Sequence, residues 1–241
     1  MSSDKKNKAF NKDGRGSGKG PAEARQHDSA PAKPGFAARA AATKILAAVI
    51  DRKTPLDGML DAEGGNPAYK ALGDSDRALV RAILNSALRH LPRIEGAISS
   101  LLDAPLPEGA RALHHVLVVG AAQMLYLDVP DHSAVDLAVE QANRDPRNRR
   151  FAKLVNAILR RIGREKQVIL EQVASVPAMP AWFLSRLESA YGAQAALKIS
   201  DTQLEPAAID LTVKSDPEGW AKRLNGVVLP TGGVRLAAQP A

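Results

Sequence analysis

DHSAVDLAVEQANRDPRNRRFAKLVNAILRRI, residues 131–162, is the stretch that decides the fold, because it has the pattern of a helical hairpin. Apolar residues recur at helical spacing in its second half: Phe151, Leu154, Val155, Ile158, Leu159 and Ile162. Such a row forms one apolar stripe along a helix. At 100° per residue, a basic face lies opposite the stripe, formed by Arg149, Lys153, Arg160 and Arg164. The pattern predicts a helix that packs on a core with one face and presents cations on the other.

The basic face has two interpretations. A charged helix face is often no more than a solvated surface. In this chain, however, no acidic residue shares the face, and Arg144, Arg147 and Arg150 crowd the turn before it. Clustering of this density favours a polyanionic partner.

Composition narrows the class of protein. Of the 241 residues, 45% are hydrophobic but only 4% are aromatic, and long alanine runs favour helices over a β-sandwich. The net charge of +7 points to nucleic acid first and to an anionic membrane surface second. The absence of cysteine excludes disulfides, thiolate zinc sites and a cysteine nucleophile. No apolar run approaches the roughly 20 residues of a membrane span, and no secretory signal is visible, so we predict a cytoplasmic protein.

The chain divides into four predicted segments. Residues 1–35 form a basic tail of Lys, Gly, Ser and Pro that we expect to be disordered, either as a solubilising arm or as a non-specific nucleic-acid contact. Residues 36–166 are predicted to form a helical bundle, and residues 167–204 a helical linker. Residues 205–241 contain two predicted strands around a short helix, the incomplete start of a second domain.

Three positions in the bundle carry specific expectations. The nearly all-apolar segment 108–127 predicts a central, enclosed helix, and Gly120 within it predicts a close crossing by another helix. Asp74 is predicted to cap the helix that carries Arg81, Asn85 and Arg89 on its polar flank. Arg39 continues the apolar line of the first helix, so its side chain either extends out to solvent or reaches a ligand.

The sequence gives little support for a catalytic site or a metal site. His114 and His115 are adjacent and project about 100° apart, so they cannot chelate one metal from one helix face. The paired glycines in residues 231–233 are explained by a turn, because no nucleotide-binding loop surrounds them. The chain shows no hydrolytic triad and no visible catalytic apparatus.

Several stretches together carry a resemblance to a known family. They are ARAAATKIL (38–46), DRALVRAILNSALR (76–89), LPRIEGAISSLL (91–102), PDHSAVDLAVEQA (130–142) and FAKLVNAILRR (151–161). The chain resembles the NusB-like RNA-binding domain, in the version fused to the front of RsmB/Sun-type ribosomal RNA (cytosine-C5) methyltransferases. The resemblance implies an all-α, NusB-like helical bundle, followed by a short helical linker and the incomplete start of an α/β, RNA-recognition-like domain.

The segment after the bundle bears on the choice between family members. MPAWFLSRLESAYG (179–192) looks like the connection from the methyltransferase bundle to its next domain, and EPAAIDLTVK (205–214) looks like the opening strand of that domain. A free-standing NusB-type transcription antitermination factor should end soon after Arg164. Two alternatives stay open: such an antitermination factor, and a protein-interaction module that binds a protein partner through the bundle.

The resemblance also implies chemistry that this chain does not contain. The family needs S-adenosylmethionine, a glycine-rich cofactor loop and a catalytic cysteine, and the sequence has neither the loop nor the cysteine. We therefore expect a truncated, non-catalytic part that is inactive alone and docks the enzyme on ribosomal RNA. The predicted RNA-binding residues are, as first choices, Arg39, Arg149, Lys153, Asn156, Arg160 and Arg161, and, as second choices, Arg77, Arg81 and Arg89.

Overall fold

A computed structural model describes residues 33–237, so most of the predicted tail lies outside the described residues. The helices of the first part are α1 (Phe36–Arg52), α2 (Leu56–Met59), α3 (Pro67–Lys70), α4 (Asp74–Arg89), α5 (Leu91–Ser100), α6 (Arg111–Tyr126), α7 (Asp131–Arg144), α8 (Ala152–Arg164) and α9 (Lys166–Val173). Short 3-10 turns at Glu108–Ala110 and Arg149–Phe151 precede α6 and α8. The remaining elements are α10 (Ala181–Tyr191), α11 (Ala193–Thr202), β1 (Asp210–Leu211), α12 (Pro217–Arg223), β2 (Gly226–Val228) and β3 (Val234–Leu236).

Helix α6 is the centre of the bundle. From Leu113 to Leu125 every residue except His114 is buried, and α1, α4, α5, α7 and α8 all pack against this helix. An apolar surface on all sides requires neighbours on all sides, because each exposed side would leave hydrophobic area in water. The prediction of a central, enclosed helix is confirmed.

Gly120 marks the place where α8 crosses α6. A Cβ atom at this position would lie 2.8 Å from Cδ1 of Leu159, which is fully buried in α8. The absence of a side chain at Gly120 therefore lets the two helices approach closely, as predicted.

The hairpin of α7 and α8 forms as expected. Val155, Ile158, Leu159 and Ile162 are buried, and Leu154 is half-buried at the edge of the stripe. Phe151 differs from the prediction, because it lies in the 3-10 turn before the helix and is only half-buried.

The start of α4 differs from the prediction. Asp74 does not cap α4; Gly73 occupies the N-cap position, and Asp74 lies in the first turn, where its charge interacts favourably with the helix dipole. Before α4, Pro67 begins the one-turn helix α3, whose N-cap Asn66 accepts a hydrogen bond from the Ala68 amide.

Helix α9 packs on the bundle core, although its sequence follows the predicted end of the bundle. It packs on α5 and α8, and Ile169 and Val173 are buried in the same core as the preceding helices. Arg93 of α5 fixes the far end of α9: its Nε donates to the Val176 carbonyl at 2.9 Å, and its Nη2 donates to the Ala174 carbonyl at 2.7 Å.

A small antiparallel sheet ends the described chain. The strand order is β1-β3-β2, with α12 connecting β1 to β2, so two strands flank a third that follows them in sequence. Asp210 and Arg235 face each other across β1 and β3 in a two-pronged ion pair of 2.7 and 2.8 Å. The sequence analysis predicted β1, α12 and β3, but it did not predict β2. In the part of the chain from residue 33 to 237, no helix combines the length and hydrophobicity of a membrane span.

Candidate nucleic-acid interface

The basic face of α8 is exposed and largely unneutralised. Lys153 and Arg160 point to solvent, and neither has a carboxylate oxygen within 4 Å among residues 33–237. The Arg160 Nε donates to the Asn156 Oδ1 at 2.9 Å, which orients the guanidinium without cancelling its charge. The burial pattern follows from the helical period, since the apolar stripe of α8 covers the core and turns these side chains away from it.

Asp136 lies on the neighbouring helix α7, and its carboxylate interacts electrostatically with Arg160. Lys33 forms an ion pair with this carboxylate, with its Nζ 2.6 Å from Oδ2. The hydrogen bond from Lys33 is the main cause that lowers the Asp136 pKa, and Arg160 contributes a smaller, through-space effect. Asp136 therefore remains charged and is paired with Lys33 rather than with Arg160.

The turn between α7 and α8 adds further cations. Asp145 holds the turn by accepting hydrogen bonds from the Arg147 amide and from the Asn148 Nδ2, at 2.9 and 2.8 Å. Arg149 and Arg150 project from it into solvent, and the Arg150 guanidinium lies 4.6 Å from the centroid of the Phe151 ring. The turn therefore extends the basic face of α8 towards its N-terminus.

A groove of about 410 Å³ opens beside this turn, between α1 and α6. Its walls are small and apolar, chiefly Ala40, Ala47 and Ala112, and Lys44 lies among them. Asn148 also lines the groove and is only 2% exposed, and its Oδ1 accepts no hydrogen bond from residues 33–237. A buried amide oxygen without a donor is costly in free energy, so this atom is a weak point of the turn.

This groove was not predicted from the sequence. The alanines at positions 40 and 47 are seven residues apart and share one face of α1. Because both side chains are small, this spacing indicates that α1 leaves space on that face. The partners come from α6 and from the α7–α8 turn, however, and nothing in the local sequence shows that they meet.

Not all predicted RNA-binding residues lie on this surface. Arg39 is buried, with 7% exposure; its Nη1 donates to the Gly35 carbonyl at 3.1 Å, and burial lowers its pKa. Its guanidinium folds back on the start of α1, so it is a poor phosphate ligand in this conformation. Arg161 is exposed but paired with Glu165 at 3.0 Å, and half-buried Asn156 is engaged by Arg160.

The second-choice residues lie together on α4. The guanidiniums of Arg77 and Arg81 each lie 5.9 Å from the centroid of the Tyr69 ring, and Arg77 Nη2 also donates to the Lys70 carbonyl at 2.6 Å. Arg89 is half-buried near the end of the same helix. The structure thus places Arg39 on α1 and divides the other predicted residues between α8, with its preceding turn, and α4.

The adjacent histidines belong to a polar network with the carboxylates of Asp51 and Glu95. His115 is buried, with Nε2 2.9 Å from the Asp51 Oδ2, and Arg111 lies 3.4 Å from the other oxygen of Asp51. His114 Nε2 is 3.9 Å from Glu95; burial lowers the pKa of His114 and raises that of Glu95. Across the described part of the chain, His, Asp and Glu side chains form no cluster of three that could hold a metal ion.

Comparison with known proteins identifies the bundle. The model of the NusB family matches residues 37–164. Ribosomal RNA small subunit methyltransferase B of Vibrio vulnificus (strain YJ016) is 38% identical over 162 residues, which are 65% of this chain and 36% of that protein. The protein of the same name from Proteus mirabilis (strain HI4320) is 31% identical, over 66% of this chain and 37% of its own length.

The chain therefore spans little more than a third of the length of these curated relatives. Among solved structures, a NusB from T. maritima is 23% identical and covers 55% of this chain and 92% of its own, with a TM-score of 0.43. The family match includes all helices from α1 to α8 and more than half of the sequence. This chain belongs to the NusB family.

Proposed function

We propose that this chain is the RNA-binding part of a ribosomal RNA methyltransferase of the RsmB/Sun type and docks the enzyme on ribosomal RNA. The observation that carries the proposal is the basic face of α8, where Lys153 and Arg160 are exposed and lack carboxylate partners within residues 33–237. The names of the relatives supply the enzyme class and the class of RNA.

Phosphate neutralisation is the physical basis of the proposed binding. Each Lys or Arg that contacts a phosphate releases condensed counterions, which makes the affinity dependent on salt. Arg149, Lys153 and Arg160 would supply these contacts, and Arg161 would contribute less because Glu165 already neutralises it.

The domain arrangement is part of the proposal. Residues 36–166 would form the RNA-binding bundle, residues 167–204 the helical linker, and residues 205–241 the start of an RNA-recognition-like domain. The sheet order β1-β3-β2 with α12 between β1 and β2 supports this, because a split β-α-β unit begins that class of domain. Ribosomal RNA as the target would place the protein in the cytoplasm.

The described residues do not fit S-adenosylmethionine. A cofactor site of the kind that the family implies needs a strand that leads through a glycine-rich loop into a helix. Here, the connection from β1 to α12 is TVKSD, residues 212–216, and contains no glycine. We therefore assign no step of methyl transfer to this chain.

Binding of a labelled fragment of small-subunit ribosomal RNA, measured by fluorescence anisotropy at several salt concentrations, tests the proposal. The K153A/R160A variant is expected to bind more weakly and to reduce the slope of log affinity against log salt by roughly 1.4 to 1.8. The R111A/R235A variant is the control, because it removes the same charge from side chains that are paired with Asp51 and Asp210.

Two results would contradict the proposal. Equal affinity and salt slope for the K153A/R160A variant and the unmodified protein would remove the α8 face from the binding site. Absence of RNA binding even at low salt would favour the protein-interaction module instead. Binding of a protein partner through apolar contacts would then be recognised by its weak dependence on salt.

A further inference from the structure

A second surface, whose groove is lined by no residue of α8, combines that groove with exposed aromatic rings and with arginines that have no carboxylate partner within residues 33–237. The groove, of about 480 Å³, lies between α4 and the segment that leads into α10. Asn85 and Arg89 line it on the α4 side, and Met179, Pro180 and Phe183 line it on the other. Its volume falls within the range typical of ligand sites.

Two adjacent aromatic side chains continue the groove along α10. Phe183 is 38% exposed and Trp182 is 64% exposed, and their ring centroids lie 5.4 Å apart at an angle of 52°. Tilted rings of this kind do not cover each other's faces. Neighbouring aromatic rings in water cost free energy that burial against a partner would recover, so they indicate an interaction surface.

Cations lie on α4, at one side of the groove, and on α10, next to Trp182. The row on α4 consists of Arg81, Asn85 and Arg89, at four-residue spacing and about 6 Å apart. Arg89 lines the groove, whereas Arg81 lies two turns away and has its guanidinium 5.9 Å from the centroid of the Tyr69 ring. On α10, the Arg186 guanidinium lies 5.8 Å from the centroid of the Trp182 ring. Glu205 is the acidic side chain that lines the groove. Within residues 33–237, none of these three arginines has a carboxylate oxygen within 4 Å, and the Asn85 side chain forms no hydrogen bond.

This charge distinguishes between classes of partner. An apolar protein surface that covered the aromatic pair would remove water from the guanidiniums of Arg89 and Arg186 and offer no counter-charge, which costs free energy. A phosphate chain supplies the counter-charge, and unpaired bases supply flat faces for the rings. Exposed aromatic rings flanked by cations are the usual means of holding a single nucleic-acid strand.

We propose that this surface binds an unpaired stretch of RNA, with bases stacked on Trp182 and Phe183 and phosphates held by Arg81, Arg89 and Arg186. We call these five residues, together with Asn85, the α4–α10 track. The inference rests on the proposed function in that the partner is RNA. It adds a second contact surface and the single-stranded class of RNA.

The tryptophans make the test direct. The sequence has two, Trp182 and Trp220, so the W220F variant leaves Trp182 as the only tryptophan. Titration of the W220F variant of the 241-residue chain with a labelled uridine dodecamer, which has no stable secondary structure, is expected to quench Trp182 emission. The quenching should saturate at the same RNA concentration as the anisotropy of the label.

Removal of the rings should then weaken dodecamer binding. Each base that stacks on an aromatic side chain strengthens the binding of the strand, so the W182A/F183A variant is expected to bind the dodecamer roughly tenfold or more weakly. Tyr191 is a matched control, because it lies on the same helix, is 65% exposed and does not line the groove; Y191A is expected to change affinity less than twofold. R89Q, which leaves the rings in place, should reduce the salt slope by roughly 0.7.

The outcomes separate this inference from the proposed function. Dodecamer affinity of W182A/F183A equal to that of the unmodified protein, or no quenching of Trp182 at saturation, would overturn the α4–α10 track. Loss of ribosomal RNA binding by K153A/R160A in the same experiment would leave the proposed function standing. Absence of binding to both RNAs by the unmodified protein would overturn both.

Discussion

Gly120 shows how one missing side chain sets the distance between two helices. A glycine inside a helix costs about 1 kcal/mol relative to alanine, yet at this position a larger residue would meet the buried Leu159 of α8. The gain in helix propensity is therefore offset by overpacking, which typically costs about 1 to 3 kcal/mol.

We expect Gly120→Val to lower the free energy of unfolding by roughly 2 kcal/mol or more, because the branched side chain cannot avoid Leu159. Urea denaturation followed by circular dichroism measures the change. Gly58→Ala is the control, since no atom lies within 4 Å of a Cβ at that position, and it should not destabilise the protein. Equal midpoints for Gly120→Val and the unmodified protein would contradict the close crossing.

His90 gives the bundle a sensitivity to acid. Its ring stacks on Tyr126, with centroids 3.8 Å apart and planes within 6°, and burial, assisted by Arg89 and Arg93, lowers its pKa to about 4. Because the unfolded chain binds a proton at higher pH than the folded chain, the contribution of His90 is present above pH 6.5 and is lost as the pH falls towards 4.

We expect His90→Phe, which keeps a flat ring against Tyr126, to lose less stability than the unmodified protein between pH 6.5 and 4. Parallel urea titrations at several pH values provide the comparison. In the unmodified protein, the NMR titration of the His90 ring should have its midpoint near 4. Parallel stability curves for the two proteins would show that His90 does not couple folding to protonation.

At the scale of elements, Arg93 connects α5 to the segments that follow the bundle. Its guanidinium donates to two carbonyls just beyond α9 and lies 3.8 Å from Asp201 in α11. Hydrogen bonds from a charged donor contribute about 1.5 to 3 kcal/mol each, so we expect Arg93→Met to destabilise the protein by roughly 2 kcal/mol.

Hydrogen exchange provides the specific measurement for Arg93→Met. Amides of α9 and α11 should exchange faster in the variant, whereas those of α6 should change little. Arg111→Met serves as the control, because Arg111 is exposed and makes a single ion pair within residues 33–237, and it should change stability by less than about 0.5 kcal/mol. Uniform acceleration across the bundle would instead indicate a global loss of stability.

The elements that the sequence predicted well are those whose structure is decided locally. Helix α8 has a strong 3.6-residue period, and α6 is apolar on all sides, so both could be placed from their own residues. Strand β2 has only three residues and exists because β3 pairs with it across a turn. Helix α9 has a mixed surface, and its place in the core depends on α5 and α8.

At the scale of the whole molecule, the sequence predicted the basic surface of α8 but not the sites formed by several segments. Lys153 and Arg160 lie on one helix, so their common face follows from the helical period. The groove at Asn148 needs α1, α6 and the α7–α8 turn together, and Arg39 is buried because the start of α1 packs against the bundle. Such arrangements depend on tertiary packing, which local patterns do not encode.

The extent of the core leads to a prediction about where the bundle can be cut. Ile169 and Val173 of α9 are 1% and 5% exposed, and they complete the core together with α5 and α8. Burial of such side chains stabilises by about 1.5 to 3 kcal/mol each, which is an upper estimate. We therefore expect a fragment of residues 33–166 to be less stable than a fragment of residues 33–176 by roughly 3 to 5 kcal/mol.

Urea denaturation of the two fragments, with the full chain as reference, tests this boundary. Residues 33–176 should unfold at nearly the same urea concentration as the bundle in the full chain, because α10 buries none of its side chains and adds little to the core. The shorter fragment should unfold earlier and bind a hydrophobic dye, since α5 and α8 lose the cover of α9. Equal midpoints for the two fragments would mean that α9 rests on the bundle without stabilising it, and that the core is complete at residue 166.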